Sequence, residues 1–162
     1  MLLDRITELE PGAKITAVKN LTMAEEYLAD HFPQFPVMPG VLMLQAMIEA
    51  GAWLIRATDD FARSMVVLRK AGNVKYGQFV QPGQTLEVTA EMLGASDDGE
   101  TKIKAKGTVH GRLTVAARLT LFSYNLADTK PNRAETDDEI RREMRKLFAL
   151  LYDPDAAHEA EA

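Results

Sequence analysis

The chain has 162 residues, enough for one compact domain with a hydrophobic core, and its composition, 46% hydrophobic and 27% charged, is that of an ordinary globular protein. It has no cysteine, which excludes disulfides and thiolate chemistry; its three histidines, His31, His110 and His158, share no metal-ligand spacing, so no metal is expected. A net charge of −5 argues against nucleic acid as a partner.

The opening MLLDRITELE is charged from its fourth residue, unlike a signal peptide. Two β-compatible runs then flank Pro11-Gly12, which predicts a hairpin. Residues 23–29 suit a short helix with Thr22 as its cap. Pro33 and Pro36 stop it and impose extended backbone around Phe32 and Phe35. Pro39 occupies the first-turn position that helices accept, and the apolar run from Gly40 predicts a helix to about Arg56 or Ala57. That run contains Gln45 and Glu49 and falls short of the roughly 20 residues a bilayer-crossing helix needs, so no membrane partner and a cytoplasmic location are expected. The helix is hydrophobic on nearly every side, so other structure must wrap it.

The runs RSMVVLRKAG, VKYGQFV, TLEVTAEMLGA, TKIKAKGTVH and LTVAARLTLFSY alternate or are β-branched. Gly72-Asn73, Pro82-Gly83, Asp97-Asp98-Gly99 and His110-Gly111 separate them, the last two as hairpin turns. Four or five strands in series, with no helices between them, exclude a parallel βαβ design. They predict an α+β fold in which one antiparallel sheet curls around one long helix. Lys102, Lys104 and Lys106 alternate with apolar residues, as on a solvated strand face. Phe32, Phe35, Tyr76 and Phe79 suit either the wall of an apolar channel or an ordinary core.

After Tyr124 the character changes. DTKPNRAE reads as a linker. TDDEIRREMRKLFALLY has Thr136 and Glu139 in capping-box positions and an apolar stripe of Ile140, Met144, Leu147 and Leu151, ended by Asp153-Pro154. The expected organisation is a domain over residues 1–126 and a tail over 127–162 that carries most of the net charge. Its amphipathic helix is read as docked on the domain or on a dimer mate, with a partner-binding helix as the alternative.

The chemistry concentrates at the start of the central helix. Its end presents N–H groups and a partial positive charge, and Gly40 has no side chain to keep a ligand from its backbone. That suits a carbonyl oxygen gaining negative charge. His31, a few residues upstream, is a proton shuttle for neutral pH. A carbonyl polariser beside a base is what removal of a proton α to a thioester needs.

These residues match a family. HFPQFPVMPGVLMLQAM closely resembles the active-site segment of the FabA/FabZ-type 3-hydroxyacyl-[acyl-carrier-protein] dehydratases, which have the hotdog fold. The likeness spans roughly residues 2–124 and includes the LLDRITELEPGAKITAVKNLT opening and the Pro82-Gly83 turn. It implies that His31 removes the α-proton of a 3-hydroxyacyl thioester and that the Gly40 N–H holds the thioester carbonyl. Phe32, Phe35, Pro39 and Val41 then lie along the substrate. It implies a homodimer or higher homo-oligomer with the site at the interface. Arg69, Lys70 and Lys75 become candidates for binding the acidic acyl carrier protein. No cofactor of its own is implied, since 4′-phosphopantetheine belongs to the substrate.

The chain departs from the family at one position. The family's helix carboxylate, which protonates the leaving hydroxyl, falls at position 45, and the residue there is Gln45. Family members commonly carry glutamine at the position of Glu49, so the two residue types are exchanged. The pair is one helical turn apart, about 5–6 Å, so Glu49 is expected to supply the acid, directly or through Gln45 or a water. The product is then the trans-2-enoyl thioester of fatty-acid or related acyl-chain synthesis. Gln45 keeps a second reading open, a non-dehydrating acyl-thioester-binding or scaffold subunit. A hotdog thioesterase ranks below both.

Overall fold

In the computed structural model, which describes residues 1–31 and 34–159, Pro11-Gly12 turns β1 (Arg5–Glu10) into β2 (Lys14–Asn20) as predicted. A single 3-10 turn, Glu26–Ala29, stands in place of the short α-helix. It ends at Asp30, whose N–H bonds the Tyr27 carbonyl at 3.3 Å; Pro33, expected to stop it, lies outside the described residues. The Ala24 N–H reaches the Thr22 hydroxyl at 3.3 Å, a local turn rather than a helix cap.

The central helix α1 (Gly40–Thr58) lies inside one six-stranded antiparallel sheet. The remaining strands are β3 (Met65–Tyr76), β4 (Thr85–Ala95), β5 (Glu100–Val109) and β6 (Arg112–Tyr124), and the spatial order is β1-β2-β4-β5-β6-β3. Strand alternation explains the curl. Leu86, Val88 and Ala90 of β4, Ile103 and Ala105 of β5, and Leu119 and Leu121 of β6 face α1 and are buried against Met43, Met47, Ala50 and Leu54. Each large aliphatic side chain buried this way contributes about 1.5–3 kcal/mol. The intervening Lys102, Lys104 and Lys106 are exposed on the outer face. Ile103 and Leu121 methyls come within 3.0 Å of where a β-carbon on Gly51 would stand, so the helix lies close on the sheet. This is the hotdog arrangement. With 19 residues, α1 has the length and composition of a bilayer-crossing segment after all; the five strands it packs against account for that composition as core.

Two further local expectations differ from the structure. Gly72-Asn73 does not separate two strands; β3 runs through it with a shift of register, and Asn73 takes a φ of 51°. A residue with positive φ serves a bulge as well as a turn. After Tyr76 the chain leaves the ladder, so VKYGQFV is only half strand. The second difference is in the tail. Helix α2 (Ala134–Leu151) starts before Thr136, behind a 3-10 turn at Pro131–Arg133, so Thr136 and Glu139 lie inside it and form no capping box.

The residue that places α2 is Asp137, which is 1% exposed. It accepts the Leu126 and Ala127 N–H groups at 2.9 Å each and the Ser64 hydroxyl. Further along, Phe148 packs against Trp53 and Phe61, and Arg145 lies over the Phe61 ring while bonding the Asp60 carbonyl at 2.7 Å. Tyr152 pairs with Ile6 of β1, and α3 (Pro154–Glu159) follows. The amphipathic helix is therefore docked on its own chain.

Burial raises the Asp137 pKa, but the bonds from Ser64, Ala127 and Leu126 outweigh it and hold the carboxyl below the usual carboxylate range. A depressed folded-state pKa contributes stability that is present above the ordinary aspartate pKa and is lost as pH falls through the folded value. Asp137→Asn is expected to lower the unfolding temperature by several degrees at neutral pH and to flatten the acid side of the stability curve. Thermal melts followed by circular dichroism across the acid range check both.

Candidate active site

The chain enters α1 through Pro39, whose extended backbone (φ −57°, ψ 139°) makes it the N-cap. The Leu42 and Met43 N–H groups bond the Pro39 carbonyl at 3.0 and 3.2 Å, while those of Gly40 and Val41 have no partner among the described residues. No acidic side chain sits in the first turn, so nothing there offsets the positive end of the helix dipole. Upstream, Val37 and Met38 are fully buried, and the Met38 N–H bonds the Val80 carbonyl at 2.9 Å. The helix start is thereby fastened to the loop before β4.

His31 is half-buried and its backbone N–H bonds the Tyr27 carbonyl at 3.1 Å. Its Nδ1 lies 3.0 Å from the Val37 carbonyl oxygen. A carbonyl only accepts, so in that bond Nδ1 carries the hydrogen and the basic lone pair of the neutral ring is on Nε2. The segment between two prolines therefore orients the imidazole through its own backbone.

His31 and Gly40 line one cavity of about 220 Å³. Met38 and Met43 complete its helix side, and Tyr76, Gly77, Gln78 and Phe79 form the opposite wall. The Tyr76 ring lies directly against Gly40: its Cε1 and Cζ come within 2.8 and 3.1 Å of where a β-carbon at residue 40 would stand. Only glycine fits beneath that ring without displacing it. Phe79 also meets Phe35 edge to face, with centroids 6.0 Å apart. The arrangement can remove a proton next to a carbonyl: a base faces the chamber, and unpaired backbone donors at a positive helix end flank it.

The other predicted residues fall in different places. Gln45 is exposed, and its side chain makes no hydrogen bond within the chain among the described residues. Glu49 is half-buried, and its carboxylate accepts the Leu2 N–H at 2.8 Å and the Leu3 N–H at 3.4 Å. Val41 is 71% exposed and Phe35 is exposed; neither lines the cavity. Phe32 lies outside the described residues. Arg69 is held against the sheet by Glu100 and the Phe122 ring. Lys70 and Lys75 are exposed and border broad grooves on the outer face of the sheet, Lys75 immediately before Tyr76. Among the described residues, no group of three His, Asp or Glu side chains is placed to hold a metal ion.

A family model described as a FabA-like domain matches residues 1–118. Over 119 residues the chain is 35% identical to a protein of Ruminiclostridium cellulolyticum named 3-hydroxyacyl-[acyl-carrier-protein] dehydratase FabZ, covering 74% of this chain and 83% of that one. A protein of the same name from Pediococcus pentosaceus is 40% identical over 93 residues, 57% of this chain and 62% of its own. Among solved structures, the dehydratase heterocomplex ApeI:P from Xenorhabdus doucetiae superposes with a TM-score of 0.63 at 15% identity, over 83% of this chain and 90% of that one. At that identity the superposition speaks to fold.

Proposed function

The chain belongs to the FabA-like family, and from that premise we infer that it is a hydro-lyase that eliminates water from a 3-hydroxyacyl thioester on acyl carrier protein, giving the trans-2-enoyl thioester in cytoplasmic fatty-acid or related acyl-chain synthesis. The observation that carries this reading is the shared cavity of His31 and Gly40. His31 Nε2 takes the proton from C2. The Gly40 N–H and the helix end stabilise the thioester oxygen as negative charge moves onto it. The hydroxyl on C3 then leaves and the double bond forms. The pantetheine arm arrives with the substrate, and these steps ask for no cofactor of the protein's own.

A second copy of the chain completes the site in this reading. Among the described residues β3 is a sheet edge, paired with β6 on one side and with no strand on the other, and its Val67, Leu68 and Val74 are exposed together with Val41 and Gln45 of α1. Such surfaces suit a two-fold, self-complementary interface. That interface brings Gln45 of the partner subunit to the cavity, where its amide hydrogen-bonds the substrate hydroxyl and fixes its orientation. Glu49 serves instead to hold the start of the chain, through the Leu2 and Leu3 amides. Lys75, next to Tyr76 at the end of β3, and Lys70, earlier on the same strand, offer positive charge to an acidic carrier protein.

The test is a continuous absorbance assay for the enoyl thioester, run with 3-hydroxybutyryl-loaded carrier protein. Enoyl product forming in proportion to protein is expected. Product no faster than in the protein-free control overturns the reading.

A further inference from the structure

Elimination of water needs a proton for the departing oxygen as well as a base for the carbon, and the residues at the family's acid position do not supply one. Gln45 is a neutral amide with no transferable proton at neutral pH. Both Glu49 oxygens are engaged by backbone N–H groups of its own chain. Of the side chains that line the cavity, only His31 and Tyr76 carry a proton that moves readily, and His31 has to receive one. On the dehydratase reading above, we propose that the Tyr76 hydroxyl is the acid that protonates the departing hydroxyl group.

The placement of Tyr76 favours this. Its Cζ, the carbon bearing the hydroxyl, lies 3.1 Å from the β-carbon position of Gly40, so the phenol stands beside the amide that holds the thioester oxygen. The backbone there is fixed. Tyr76 is the last residue of β3, paired with Val115, and the next N–H, of Gly77, bonds the Thr114 carbonyl at 2.8 Å. A β-carbon on Gly77 would meet the Leu113 carbonyl oxygen at 2.2 Å, so this close approach tolerates only glycine. The phenol makes no hydrogen bond among the described residues, and the side chain is 53% exposed at the cavity mouth, within reach of an incoming substrate. A phenol is protonated at neutral pH and is a known general acid.

The step balances. The C2–H bond breaks and its proton goes to His31 Nε2. Its electron pair moves onto the thioester oxygen as an enolate held by the Gly40 N–H, then returns to form the C2=C3 double bond as the C3–O bond breaks. The departing oxygen takes the Tyr76 proton and leaves as water. The imidazolium then returns its proton to the phenolate through solvent, restoring both groups.

The test is Tyr76→Phe, which keeps the ring over Gly40 and removes only the hydroxyl. Two readouts are followed with a 3-hydroxybutyryl thioester in D2O: enoyl formation, and deuterium uptake at C2. The expected result is a fall in kcat of about 10²-fold or more with KM little changed, while C2 exchange continues because His31 and Gly40 still form the enolate. Dehydration at the wild-type rate in Tyr76→Phe overturns the role of the phenol and leaves the dehydratase reading standing. Loss of exchange together with dehydration in the variant assigns Tyr76 to positioning and likewise overturns the proposal. A wild-type protein that neither dehydrates nor exchanges removes the reading beneath it.

Discussion

Replacing His31 by Ala is expected to remove enoyl formation, with kcat/KM falling by about 10²–10⁴-fold, the range general acid–base catalysis supplies. The imidazole lines the cavity, and the bond from Nδ1 to the Val37 carbonyl puts the basic lone pair of the neutral ring on Nε2. Removing it deletes the base and leaves the backbone donors in place. Thioester binding should therefore persist while turnover is lost, so KM changes far less than kcat. His31 is half-buried at the edge of a 3-10 turn, outside the buried hydrophobic cluster. The unfolding temperature should accordingly stay near that of the wild type. Parallel absorbance assays and thermal melts separate lost chemistry from lost fold; a variant with near-native turnover contradicts the assignment.

Gly40→Ala is expected to separate stability from activity in the opposite direction. Alanine in a helix is favoured over glycine by about 0.5–1 kcal/mol, and residue 40 has an ordinary helical backbone. The added methyl, however, lands 2.8 Å from the Tyr76 ring. The exposed ring gives way, so the fold survives, but the wall facing the Gly40 N–H is displaced and the oxygen's approach narrows. Removing one donor from such a hole costs about 10²–10³-fold in kcat, and a loss of about 10²-fold is expected here, with a melting temperature equal to or above that of the wild type. Turnover and melting measured on one preparation give both signs at once.

The part of this site that lies within one stretch of sequence is legible there. His31, Pro39 and Gly40 are placed by local rules: prolines fix the backbone, and a glycine opens a helix. The hairpins at Pro11-Gly12 and His110-Gly111 are legible for the same reason, and both residues of the second take the positive φ such turns require. What could not be read is what the curl of the sheet brings together. Nothing in the spacing of Gly40 and Tyr76 shows that the end of β3 returns over the start of α1. The exchange of Gln45 and Glu49 is plain in the sequence, but not that the Leu2 and Leu3 amides reach Glu49. At Gly72-Asn73 a turn and a bulge share one signature. At Thr136 a capping-box pattern yields to Asp137, whose tertiary bonds set where α2 begins.

The most direct test of the shared cavity is a crystal structure with an inert amide analogue of 3-hydroxybutyryl pantetheine. The account predicts the acyl carbonyl oxygen within hydrogen-bond distance of the Gly40 nitrogen and C2 facing His31 Nε2. An analogue seated in the grooves on the outer face of the sheet, or with its carbonyl turned away from the helix start, contradicts it.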